Sequence, residues 1–224
     1  SIRRQRQMCI RDRYVVESNT VTIKAGEGVA KFRMKGIYEN IDKTDSLSVT
    51  FNLLAKDENV WDLYGTRTRV QMQKACPFEL STFEGYCLLT SSFFSAYMTN
   101  TEHRLLQAER DKTEDNTIIL HDFFYKNYDV KIKYDPSDPL KPFVEFDDQI
   151  IGSTAEAFGT IYGNGKLMCT QPVAYDSYYN VCQKFVFLYS TIYVVGKGTV
   201  GTYVTILEWI SDEEAEQYKK EEGL

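Results

Sequence analysis

The chain has 224 residues, 43% of them hydrophobic, 26% charged and 14% aromatic, with a formal net charge of −6. This composition excludes a disordered or collagen-like chain, and the length suffices to bury a core without staples. The acidic balance argues against a nucleic-acid binder, which wants a basic face for phosphates; no apolar run approaches the roughly 20 residues of a membrane-spanning helix.

Residues 1–13 (SIRRQRQMCIRDR) hold five bases and one acid, net +4, which leaves −10 for the remainder. The string resembles translated sequencing-adapter readthrough. It lacks the Ser-rich amphipathic pattern of a transit peptide and the roughly 7–15-residue apolar stretch of a secretory signal. It is set apart from the fold as a non-native or disordered extension.

From Tyr14 onward most of the chain reads as strands. Thr20–Lys24 and Val29–Ile37 flank a turn at Gly26 and Gly28. Leu47–Leu54 is β-branched and apolar, and Thr66–Gln73 alternates as a half-exposed strand does. Gly85–Tyr97, Thr117–Tyr134, Phe143–Ile151, Phe158–Gly163, Lys166–Val173, Cys182–Val195 and Thr199–Trp209 continue the series. Gly163-Asn-Gly165 and Gly196-Lys-Gly198 are tight-hairpin signals, because Gly and Asn accept positive φ at low cost. About ten strands with short turns predict an all-β fold, a closed antiparallel barrel over 14–210, since closure removes exposed edges. Two segments break the pattern. Thr101–Asp115 is charged and reads as a short helix or an insertion loop. Ser211 with Glu214 forms a capping box, so 211–224 reads as an acidic C-terminal helix and tail.

Without Cys9, four cysteines remain, in two locally spaced pairs. Cys76 with Cys87 and Cys169 with Cys182 suit hairpin-closing disulfides, against the alternative of four reduced, buried thiols. Disulfides would place the protein in a secreted or organelle-lumen setting rather than the cytosol. The spacing does not suit zinc, and no metal or cofactor is expected.

Catalytic signatures are sparse. The only histidines are His103 and His121. His121 and Asp122 are adjacent on one strand, where their side chains point opposite ways, so they do not make a triad. No nucleophile elbow, Walker loop, zincin helix or dinucleotide fingerprint occurs. Glu145 and Asp147 share a strand face and are candidate pocket carboxylates, against a plain turn role. The aromatic run Tyr175-Asp-Ser-Tyr-Tyr179 is followed by Phe185, Phe187, Tyr189 and Tyr193, which fall on one face of a strand. That face either lines a lumen or points outward to a partner.

Three stretches resemble the dirigent and allene oxide cyclase superfamily of barrels. They are Trp61-Asp-Leu-Tyr-Gly65 leading to Cys76 and Cys87, the aromatic Asp122–Asp129 strand, and Ile150-Ile-Gly152 through Phe158–Leu167. Gly152 followed by Ser153-Thr154 replaces the family's glycine pair, and 101–115 stands as an insertion. The resemblance implies an apolar barrel that holds a reactive small molecule in one conformation, as an isomerase or cyclase, with Cys76 at a pocket position. A third expectation is a secreted binding or recognition protein stapled by two disulfides; the main rival is a non-catalytic accessory subunit docked on a larger assembly. It rests on the missing catalytic constellation, the aromatic excess and the acidic helix.

Overall fold

The computed structural model describes residues 12–18, 20–43, 46–53, 65–98, 101–139 and 141–222. Trp61 and the first eleven residues fall outside them. The chain divides into two compact units, 1–75 and 76–224, where the sequence pattern reads one barrel domain over 14–210.

Among its described residues the first unit holds two antiparallel ribbons. β1 (Tyr14–Val16) pairs with β2 (Met34–Gly36), and β3 (Ser46–Asn52) pairs with β4 (Arg67–Gln73) from Ser46↔Gln73 to Asn52↔Arg67. Only Met34–Gly36 of the expected Val29–Ile37 strand joins a ladder, and Thr20–Lys24 joins none.

The second unit is the barrel. Its strands are β5 (Gly85–Ser91), β6 (His103–Arg110), β7 (Thr117–Leu120), β8 (Val130–Asp135), β9 (Phe143–Glu145), β10 (Gln149–Ser153), β11 (Lys166–Thr170), β12 (Ser177–Asn180), β13 (Phe185–Val194) and β14 (Gly198–Trp209). Eight of them close a ring in the order β13-β12-β9-β8-β7-β6-β5-β14, with β14 returning to β13. All pairings are antiparallel.

The wall has a seam. β12 pairs with the first half of β13 (Asn180↔Phe185, Tyr178↔Phe187), and β11 takes over the second half (Thr170↔Thr191, Met168↔Tyr193). At the changeover, Tyr189 N donates to Ser177 Oγ at 3.0 Å. Beside it, β10 reaches β8 through a side chain. Gln149 Oε1 accepts from Lys131 N at 2.7 Å while its Nε2 donates to Lys131 O at 2.8 Å. The amide thus satisfies backbone groups as a strand would.

Among the described residues three short α-helices join the barrel unit. α1 (Ser92–Tyr97) is capped by Ser91, which accepts from Phe93 N and bonds Thr205 Oγ1 inside the barrel. α2 (Thr154–Phe158) starts at a Ser153/Glu156 capping box and stops at left-handed Gly159. α3 (Asp212–Glu222) carries the expected Ser211/Glu214 box, buries Ala215, and lays Lys219 Nζ 4.3 Å above the Tyr86 ring. Among the described residues no helix is long and apolar enough to cross a membrane.

The barrel interior is filled by its own side chains. One end holds Phe78, Phe83, Tyr134, Tyr179 and Trp209, with Phe83 stacked 4.5 Å from Tyr134 and edge-on to Trp209 at 5.1 Å. The other end is plugged by Phe93, Phe94, Phe123 and Phe124, with Phe93 and Phe124 stacked at 5.0 Å. Leu89, Leu106, Ile118, Leu120, Ile132, Val186, Leu188 and Leu207 fill the space between, each no more than 2% exposed. An eight-stranded barrel has an interior just wide enough for side chains, and here they occupy it.

Several expected elements resolve differently. The charged stretch Thr101–Asp115 forms no helix, and loop is confined to its ends, mainly residues 111–115: most of it is β6, whose Leu106 and Ala108 face inward while Glu109 and Arg110 face solvent. Gly85–Tyr97 is a strand followed by α1, because Ser91 turns the chain as an N-cap. Thr117–Tyr134 is two strands joined by a turn with positive φ at Asp122 and Asn127. Phe143–Ile151 is also split, since residues 146–148 belong to no strand. Phe158–Gly163 forms no strand, and Ser177–Asn180, expected only as an aromatic run, does.

Candidate functional site

β13 decides where the aromatic run points. Val186, Leu188, Ser190, Ile192 and Val194 are buried, so by the period of two Phe185, Phe187, Tyr189, Thr191 and Tyr193 face outward. The lumen expectation for Phe185, Phe187, Tyr189 and Tyr193 is therefore corrected: all four stand on the barrel's outer wall. Both parities of this strand are apolar, and the slimmer aliphatic side fits the crowded interior.

The outward aromatics organise one another. Phe187 stacks on its cross-strand neighbour Tyr178 at 5.4 Å with an interplanar angle of 5°. Tyr189 stacks on Tyr175 at 5.3 Å and 19°. Phe185 meets Tyr178 and Phe187 edge-on. Tyr175 remains 54% exposed and Tyr178 38%, so the group is an open platform rather than a core. Burial, with a smaller contribution from Tyr189, raises the Tyr178 hydroxyl above the usual phenol range, so it stays protonated at neutral pH.

Further along β13 the wall turns polar. Asp148, Thr170, Thr191, Tyr193 and Thr199 line an open hollow of about 510 Å³ beside the β13–β14 hairpin. Tyr193 donates to Asp148 Oδ2 at 2.7 Å. The hydroxyls of Thr170 and Tyr193 hold the Asp148 carboxyl below its usual range, so it is a fixed anion and acceptor. Thr191 and Thr202 join hydroxyls at 2.9 Å on the same face. Glu145 and Asp147 are exposed, Glu145 at the end of β9 and Asp147 in the following turn; neither enters a lumen. Sequence reasoning missed Asp148 and the threonines, although the period-two reading of β13 leads from Tyr189 to Thr191 and Tyr193.

A second hollow of about 650 Å³ is lined by Thr90, Phe94, Ser95, Met98 and His103, with Thr90 Oγ1 2.7 Å from His103 Nδ1 across the β5–β6 pair. The other histidine, His121, has both ring nitrogens occupied by carboxylates, Asp129 at 3.0 Å and Glu109 at 3.3 Å. It is not poised to activate a nucleophile. Among the described residues no three metal-binding side chains converge.

The cysteines pair differently from the local expectation. Cys76 bridges Cys182 across 106 residues, and Cys87 and Cys169 are free and buried. Cys87 is buried on β5 and Cys169 on β11. Burial drives both thiols upward, Cys169 to about 12, which leaves them unreactive. The bridge also removes Cys76 from any pocket role.

No curated protein and no solved structure matches the chain. A family model described as a domain of unknown function, DUF4984, matches residues 63–221, a span that contains the whole barrel and most of α3. The chain belongs to the DUF4984 family.

Proposed function

We propose that this chain is a non-catalytic binding protein that meets its partner on the outer aromatic wall formed by Phe187, Tyr189, Tyr178 and Tyr175. The observation that carries the reading is the opposition of the two β13 faces. The inward face is packed against side chains at both barrel ends, and the outward face offers stacked rings to solvent. Exposed, contiguous aromatic surface is the mark of a contact site, and a rigid support reduces the cost of ordering it on binding. Of the functions the sequence leaves open, an isomerase or cyclase needs room inside the barrel, and an accessory or recognition role needs only the surface.

An apolar fluorescent probe titrated onto the isolated protein tests this. The expected result is weak binding without saturation that falls when Phe187→Asp is introduced, with circular dichroism unchanged. Stoichiometric, saturable binding that Phe187→Asp leaves intact would place the ligand inside the barrel and overturn the reading.

A further inference from the structure

The outward side chains of β13 form one track of two chemical characters. From Phe185 to Tyr193 is eight residue steps, about 26 Å at the strand rise. The first half is aromatic: Phe185, Phe187 and Tyr189, widened by Tyr178 and Tyr175. The second half is a hollow that mixes hydroxyls with Val194, Val195 and the hairpin glycines and contains one carboxylate, Asp148. Among the described residues no lysine or arginine lines that hollow.

A ligand that satisfies the whole track must offer apolar faces to the rings and hydroxyl donors to Asp148. It must also be long and uncharged enough not to need a cation. An anionic chain is disfavoured by the fixed negative charge of Asp148. Two of the carboxylate's roughly four acceptor sites are engaged by Thr170 and Tyr193, which leaves capacity for further donors. Thr199 can donate and accept, while Thr170, whose proton goes to Asp148, and Thr191, paired with Thr202, keep acceptor lone pairs.

Resting on the outer-wall reading above, we infer that the wall binds a neutral, extended saccharide chain, with sugar C–H faces on the aromatic half and hydroxyls on the Asp148 hollow. A sugar ring has that split character, an apolar face and a polar rim. A protein partner would meet Asp148 with a lysine or arginine, and its binding would weaken with added salt, whereas that of a neutral sugar would not.

The test is retardation of the full chain in native gels cast with neutral soluble polysaccharides, a glucan, a mannan and a xylan, and with a polyanionic one as contrast. Retardation by at least one neutral polymer is expected. Tyr189→Ala and Tyr178→Ala are expected to weaken it at least tenfold, Asp148→Asn to weaken it less, and added salt to leave it unchanged. Retardation only by the polyanion, by no polymer, or equally by wild type and the Tyr variants overturns the saccharide inference. The apolar-probe titration separates the two proposals. If Phe187→Asp removes probe binding and no neutral polymer binds, the wall stands as a protein-contact surface and the saccharide falls.

Discussion

Leu188 and Phe187 are neighbours on β13 that face opposite sides of the wall, and they offer a sharp test of its orientation. Leu188 is 1% exposed, enclosed by the barrel interior. Truncating it to Ala removes buried methylenes and leaves a cavity, at roughly 3 kcal/mol within the ~2–5 kcal/mol range for such sites. For a domain of this size that lowers Tm by about 6–12 °C. Leu188→Asp adds the cost of burying a carboxylate with no partner, several kcal/mol more, which approaches the whole stability of a typical domain. Phe187 is only half-buried and stacks on Tyr178. Phe187→Asp loses about half of a ~2 kcal/mol burial contribution and a ring pair of about 1 kcal/mol, near 2 kcal/mol in all, and its carboxylate stays hydrated. Urea unfolding followed by circular dichroism reads all three variants. The expected order is Phe187→Asp folded and modestly weakened, Leu188→Ala weaker still, and Leu188→Asp unfolded. A folded Leu188→Asp beside an unfolded Phe187→Asp would refute the inside-out assignment of β13 and the function built on it.

Four further outcomes follow from particular contacts. Peptide mapping without reduction should recover one linked pair, Cys76 with Cys182, with Cys87 and Cys169 alkylated only after unfolding; recovery of a Cys76–Cys87 or Cys169–Cys182 peptide would contradict the fold. Replacing Cys76 by Ala should cost roughly 2–5 kcal/mol, since the bridge closes a long loop. Burial opposes the charged His121 imidazole, but the Asp129 hydrogen bond and the Asp129 and Glu109 charges outweigh it and raise its pKa. Its stabilisation is therefore complete below the unfolded value of about 6.5 and lost as pH rises through the higher folded value. The Tm gap between wild type and His121→Gln should shrink from pH 6 toward pH 8, roughly the window around that value; a gap that widens would refute the pairing. Gly163→Ala should destabilise more than Gly159→Ala. Both have positive φ, but a Cβ at 163 would lie 2.6 Å from Val195 O, and one at 159 meets nothing within 4 Å. The left-handed penalty alone, about 1–2 kcal/mol, applies to Gly159→Ala, and equal melting shifts would contradict the close approach at 163.

Local signals read correctly where one interaction sets the structure. The Gly196-Lys-Gly198 hairpin and the Ser211/Glu214 box need only neighbouring residues, and both form as their patterns predict. Signals failed where tertiary context decides. In β13 both faces are apolar, so periodicity alone cannot say which turns inward; only the width of a closed barrel selects the aliphatic side. β6 looks helical by composition, because a wall strand exposed on one side tolerates charge at every second position. Ser177–Asn180 was hidden because its role depends on β9 and β13, each distant in sequence. The cysteine pairing misled for the same reason: the bridging partner lies close in space and 106 residues away in the chain.

The outer wall is also where rings are least needed for folding. Outward positions of an antiparallel sheet accept Thr, Lys or Glu without loss of core, and exposed aromatics there carry a risk of self-association. On β14, Thr202 and Glu208 show that polar outward side chains suit this wall. The aromatic concentration on β12 and β13 therefore calls for a contact that uses it. The support beneath is stiff. β13 is laddered to β14 from Phe185 to Val194, and its other edge is handed from β12 to β11 across the Ser177 hydrogen bond. Tyr193 is fixed by Asp148, and Tyr178 and Tyr189 by their stacking partners. Rings held this way lose little freedom when a ligand arrives, so their buried area converts to affinity with less entropic loss than flexible loops would give. A filled interior is what makes that stiffness available: the barrel gives up its lumen and gains a rigid outer face.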